Sequence, residues 1–190
     1  MQHATATVGA WRFPQARDVS QRAVSGPVAS SGKAALHAES PAQVLHPGDV
    51  VYAACGERLQ TLLGSCVAII LTDPRRTMAT MCHVVHAGEP SPHNAQDSAY
   101  GEVALRAMAR LLLSRGITPG LCEAYVMGGG NMFPRQFNLA HVGLQNAHWA
   151  LAALARDGLR VVLADLGGAA YRRVGWSVGP SEPEVTSVPV

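Results

Sequence analysis

The chain has 190 residues, 48% of them apolar and 15% charged, with a formal net charge of +2. That length fits one domain with an appendage, and basic residues that come mostly singly give no stripe for nucleic acid or a membrane surface. Cys55, Cys66, Cys82 and Cys122 lack CxxC spacing, so they do not suggest a zinc ribbon or a thioredoxin-type pair.

Residues 1 to about 40 are rich in Ala, Ser, Gly and Gln without a sustained period and are expected to be a disordered extension. They lack the charged-then-apolar layout of a signal peptide, and no apolar segment approaches the ~20 residues of a membrane span. A cytoplasmic location with reduced thiols is the economical expectation. Pro47 and Gly48 read as a turn, followed by a strand at Val50–Ala54. "SCVAIILT", closed by Asp73 and Pro74, has the continuous apolar character of a strand buried on both faces. "TMATMCHVV" is again strand-like.

After the loop "HAGEPSPHNAQ", the segment "SAYGEVALRAMARLLLSRG" predicts a helix. Its buried stripe would be Ala104, Ala107, Met108, Leu111 and Leu112, with Asp97 or Ser98 as N-cap and Gly116 as stop. "CEAYVMGGGNMF" reads as a strand entering a triple-glycine loop. A second helix is predicted over 141–157, burying Leu144, Ala147, Leu151, Leu154 and Ala155 and ended by Gly158. "LRVVLADLGG" and "YRRVGWSV" supply closing strands, and residues 179–190 are expected to form a flexible tail. The folded domain would then span 41–178. This order argues for an α+β sandwich, not a strict βαβ repeat.

A free thiol near pH 7 is only a few per cent thiolate, so a nucleophilic cysteine needs a base within reach. Cys66 follows Gly64 and Ser65, where a tight turn could aim neighbouring N–H groups at an oxyanion. His83 lies on the next predicted strand, across the turn-like "DPRRT". A packed cysteine and a structural histidine remain the competing reading, since Cys is among the most buried residue types. Cys82, His83, His86 and His93 could instead form a metal cluster, but strand alternation sends His83 and His86 to opposite faces. Ser65 lacks the G-x-S-x-G context of a hydrolase elbow. Gly128, Gly129 and Gly130 precede no Lys-Ser/Thr and so form no P-loop; they could be a strained loop or a floor beside the site.

"TLLGSCVAIILTDP", "MCHVV", "MGGGNMF", "VGLQNA", "ADLGG" and "YRRV", in this order over about 45–176, resemble the chemoreceptor glutamine deamidase family, CheD. The resemblance implies an α/β/β layered sandwich similar to bacterial toxin deamidases. The implied activity converts glutamines of methyl-accepting chemotaxis receptors to glutamates and releases ammonia. It implies Cys66 as nucleophile and His83 as base, with backbone at Gly64 and Ser65 near the oxyanion, and Gly128, Gly129 and Asn146 lining the site. No metal or organic cofactor is implied, and a CheC-type phosphatase is an implied partner. The family's third residue is a threonine six positions before the cysteine, which here is Gln60; Thr61 is one position off but supplies the hydroxyl, and a bulge beside Gly64 could absorb the slip, so Thr61 is favoured over Gln60 to orient the imidazole. A non-enzymatic adaptor of the same fold, or a cysteine amidase or protease on other substrates, are the alternative functions.

Overall fold

The computed structural model describes residues 41–136 and 141–190. Their strands and helices are, in chain order, β1 (Gln43–Leu45), β2 (Val50–Ala54), β3 (Arg58–Leu63), β4 (Val67–Thr72), β5 (Met78–Val84), α1 (Gly101–Leu113), β6 (Glu123–Gly128), α2 (Val142–Arg156), β7 (Arg160–Leu166), β8 (Ala170–Ser177) and β9 (Glu184–Pro189). They form a four-stranded sheet ordered β1-β3-β8-β9 and a five-stranded sheet ordered β2-β5-β4-β6-β7.

Strand β4 sits at the centre of the larger sheet because all six of its residues are buried. Val67, Ile69 and Leu71 pack with Met108 and Leu112 of α1 and Ala150 and Leu154 of α2. The alternating Ala68 and Ile70 pack instead with Leu59, Leu63, Val174 and Trp176 of the smaller sheet. Period-two alternation on one strand thus makes two cores, one on each face of the larger sheet. The result is a helix–sheet–sheet sandwich of α+β class. No helix among the described residues is long and apolar enough to cross a membrane.

β4 and β5 form an antiparallel pair, Val67 opposite Val84 and Thr72 opposite Ala79. Asp73 closes the turn between them: its Oδ1 accepts from the Thr77 and Met78 N–H groups at 2.8 and 3.1 Å, satisfying turn donors locally.

Several expectations change. Strand β3 was not anticipated, because "RLQTLL" mixes charged, polar and apolar residues. Only its alternate residues Leu59, Thr61 and Leu63 are buried. The tail expected to be flexible contains β9, paired antiparallel with β8 from Gly175 opposite Glu184 to Ala170 opposite Pro189, so regular structure continues past 178. Neither Asp97 nor Ser98 caps α1. Tyr100 is the N-cap residue, without a side-chain cap; the Ser98 hydroxyl donates to the Gly48 carbonyl at 2.6 Å. Ala155 of α2 is exposed, and the helix buries Gly143, Asn146, Ala147, Ala150, Ala153 and Leu154. Its small residues mark a close approach to the sheet. The extension expected over 1–40 lies outside the described residues.

Candidate active site

β3 belongs to one sheet and β4 to the other, and only residues 64–66 connect them. Gly-Ser-Cys is therefore the crossover between the two layers. Gly64 is not in the left-handed region. Its missing Cβ leaves room for Met132, whose Sδ would stand 2.9 Å from a Cβ there. Cys66 is half-buried and packs on the inter-sheet core. On β5, His83 is opposite Ala68; Cys66 precedes Ala68 by two residues, which makes it a diagonal neighbour of His83 on the same face.

The third side chain comes from β3. Thr61 is 5% exposed and His83 3%, and Thr61 Oγ1 lies 2.9 Å from His83 Nδ1. The same hydroxyl donates its only proton to the Leu45 carbonyl on β1, also at 2.9 Å, because a carbonyl can only accept. Its lone pair must then accept from the imidazole, which puts the ring proton on Nδ1. Nε2 is left with a lone pair, buried and without a hydrogen-bond partner among the described residues. No hydrogen bond joins it to the Cys66 thiol in this state; apo dyads are commonly loose in this way. Gln60, adjacent on the strand, faces away from this inter-sheet space by alternation.

Burial pushes the Cys66 thiol above its ordinary 9.0, with the residue's own N–H pulling the other way. Burial pushes His83 below 6.5; the Leu45 carbonyl and the Asp49 charge partly offset this, and His46 adds to it. Both shifts favour a neutral thiol beside a neutral imidazole. Cys82 points into the helix-side core and is pushed up to about 12 by burial. Cys122 is pushed up to about 11 by burial and by Asp73. Cys55 is exposed.

The remaining expected residues close one side. Gly128 has φ +115°, and a Cβ there would stand 2.2 Å from the Cys66 carbonyl oxygen. Gly129 and Gly130 donate N–H to the carbonyls of Cys66 and Gly64, each at 2.8 Å. The triple glycine thus backs the crossover by main-chain contact. Asn146, from α2, donates to the Ser65 carbonyl at 3.0 Å and the Val85 carbonyl at 2.9 Å. The cluster of Cys82, His83, His86 and His93 does not form: Cys82 and His83 face opposite cores, and exposed His86 stacks on Tyr100 with ring centroids 4.8 Å apart. Among the described residues no group of three or more His, Cys, Asp or Glu could hold a metal ion. Sequence reasoning missed the Leu45 carbonyl and Met132, neither of which carries a motif.

A family model described as CheD chemotactic sensory transduction matches residues 86–185, a span that begins after Cys66 and His83. A Pseudomonas syringae pv. tomato protein named "Probable chemoreceptor glutamine deamidase CheD" is 38% identical over 134 residues, covering 69% of this chain and 80% of that one. A Geobacter sulfurreducens protein named "Probable chemoreceptor glutamine deamidase CheD 2" is 31% identical over 142 residues, covering 74% and 86% respectively. Among solved structures, the Bacillus licheniformis hypothetical protein YfiH aligns with a TM-score of 0.40 and 12% identity, over 62% of this chain and 49% of that one.

Proposed function

This chain belongs to the CheD family, and from that premise we propose that it is a chemoreceptor glutamine deamidase that uses Cys66 as its nucleophile. The observation that carries the cysteine mechanism is the Leu45–Thr61–His83 chain of hydrogen bonds, which leaves the His83 Nε2 lone pair free on the face that Cys66 shares. A resting thiol with a raised pKa needs a base at the moment of attack, and a neutral imidazole can serve as one.

His83 Nε2 takes the Cys66 proton as sulfur bonds to the glutamine carboxamide carbon. The carbonyl π pair moves to oxygen, and the resulting oxyanion is met by main-chain N–H groups of the crossover loop. As the tetrahedral species collapses, the C–N bond breaks and the imidazolium gives its proton to the leaving nitrogen, which departs as ammonia. Water then attacks the thioester with Nε2 as base, the C–S bond breaks, and glutamate and the neutral thiol are restored. Thr61 holds the ring in the required tautomer throughout. This chemistry calls on no metal or organic cofactor.

Its substrates are the cytoplasmic domains of methyl-accepting chemotaxis receptors, so its place of action is the cytoplasm. A CheC-type phosphatase is a further proposed partner. The test is mass spectrometry of a receptor cytoplasmic fragment incubated with the protein. Wild type should add about 1 Da at particular glutamines, as acyl transfer to water requires. Cys66→Ala should add nothing while still binding the fragment. Deamidation by Cys66→Ala would overturn the nucleophile assignment. Binding without deamidation by wild type would mark an adaptor.

A further inference from the structure

We propose that Asn146 is a positioning residue that aims the Cys66 N–H at the oxyanion, by holding the neighbouring Ser65 carbonyl on the opposite side of the peptide. The proposal rests on the glutamine-deamidase reading. Asn146 is 1% exposed and lies in the second turn of α2, a helix packed on the far side of the larger sheet from the inter-sheet space. Its Nδ2 carries two protons, and both are spent, one on the Ser65 carbonyl at 3.0 Å and one on the Val85 carbonyl at 2.9 Å.

These two carbonyls lie just past Val67 and Val84, the last pair of the β4–β5 ladder. The carboxamide therefore bridges the segment carrying the nucleophile to the segment that follows the base. The Ser65 carbonyl and the Cys66 N–H belong to one planar trans peptide and point in opposite directions. Drawing the carbonyl toward α2 turns the N–H toward the inter-sheet space that Thr61, His83 and Cys66 face.

The Cys66 N–H takes no part in the β4–β5 or β4–β6 ladder, each of which begins at Val67. It donates to no other acceptor among the described residues. The preceding peptide repeats the arrangement: the Gly64 carbonyl is held by Gly130 N–H at 2.8 Å, which turns Ser65 N–H away from it. A residue present only to fill space would bring neither proton of this side chain to these carbonyls.

The experiment compares full-length wild type, Asn146→Ala and Cys66→Ala on a receptor cytoplasmic fragment. It also follows iodoacetamide alkylation of the Cys66 peptide by mass spectrometry. Alkylation displaces iodide and develops no oxyanion, so it reports the thiol and its base alone. Asn146→Ala should lose about 100-fold in kcat, the scale of one lost oxyanion donor, with KM and the Cys66 alkylation rate each within about twofold of wild type. Equal losses of deamidation and alkylation would make Asn146 a general support and overturn the proposal. An Asn146→Ala protein with wild-type kcat would overturn it alone. An inactive wild type, or activity surviving in Cys66→Ala, would overturn the deamidase reading and this proposal with it. Should Asn146→Ala not fold, wild type decides by amide NMR with a glutamine-derived peptide aldehyde, whose tetrahedral adduct carries the same oxygen. The Cys66 amide proton should move downfield on adduct formation, and an unmoved resonance would overturn the proposal.

Discussion

A single hydroxyl decides which nitrogen of His83 is basic. Replacing it by Thr61→Val keeps the shape but leaves the Leu45 carbonyl and the Nδ1 proton without their shared partner, and frees the ring to exchange tautomers. The expected loss in kcat is on the order of 10²-fold, the lower range of general-base contributions, with little change in receptor binding. Gln60→Ala, on the other face of β3, should stay within about 0.5 kcal/mol of wild type in stability and near it in turnover. Steady-state kinetics with urea titrations would check both, and a larger effect at Gln60 would move the orienting role there. The two titrating groups also set the pH profile. His83 is held below 6.5 and, on the proposed mechanism, must be neutral to act, whereas Cys66 is held above 9.0 and would start protonated. The profile of kcat/KM should therefore rise through an acid limb below 6.5, stay flat through neutrality, and show no descending limb before pH 9.0. A resting thiolate–imidazolium pair would instead bring the descending limb down toward the pKa of a stabilised imidazolium.

Between elements, the decisive contact is the N-terminal turn of α2 against the triple glycine. A Cβ on Gly143 would stand 2.3 Å from the Gly130 oxygen and 2.5 Å from the Gly129 oxygen. Glycine to alanine in a helix ordinarily gains about 1 kcal/mol; here the sign should reverse. Gly143→Ala is expected to lose roughly 1–3 kcal/mol, as overpacking does, read as a lower urea midpoint, and to lower turnover because Asn146 rides on the same helix. The β4–β5 pair was legible because its strands are long apolar runs bounded by a strong turn, and the cysteine and histidine came with it. The strand bearing Thr61 was not: only three of its six residues are buried, and its long partner β8 lies more than a hundred positions off in sequence. Whether Thr61 or Gln60 meets His83 depends on which face of β3 turns inward, and the strands that bury Thr61 against the imidazole are not adjacent to it in sequence. β9 was hidden for the same reason, since "EVTSVP" has little apolar content to bury and is ordered by its ladder with β8.

On the acid side of neutrality two groups, one on each side of the larger sheet, make a falling pH destabilising for the whole molecule. His83 folds neutral, while the unfolded chain takes up a proton below 6.5, so the unfolded state binds more protons there and stability falls as pH drops. Glu102 acts in the same sense: Arg156 holds its carboxyl below 4.5, assisted by the Trp149 N–H, and tied in this way it links α1 to α2. Its stabilisation is present above 4.5 and is lost as pH falls through its lowered value. Urea midpoints should be level near neutrality, decline from about pH 6.5 as the histidine term enters, and fall faster below 4.5. Midpoints that rise on acidification would contradict the neutral burial of His83.

The smaller sheet joins β3 to β8, whose paired residues, such as Thr61 and Val174, stand more than a hundred positions apart. During synthesis the cysteine and histidine emerge together on one hairpin, while the strand carrying the threonine has only short β1 to pair with, and two-stranded pieces are marginal in water. The sheet that holds the threonine against the imidazole is completed only by C-terminal strands, and α2 with its asparagine also lies beyond the hairpin in sequence. On the proposed chemistry, a polypeptide that lacks those strands holds a protonated thiol with no oriented base. Competence to alter other proteins would thus wait on segments far beyond the hairpin, and copies that lack them would leave the glutamines around them unedited.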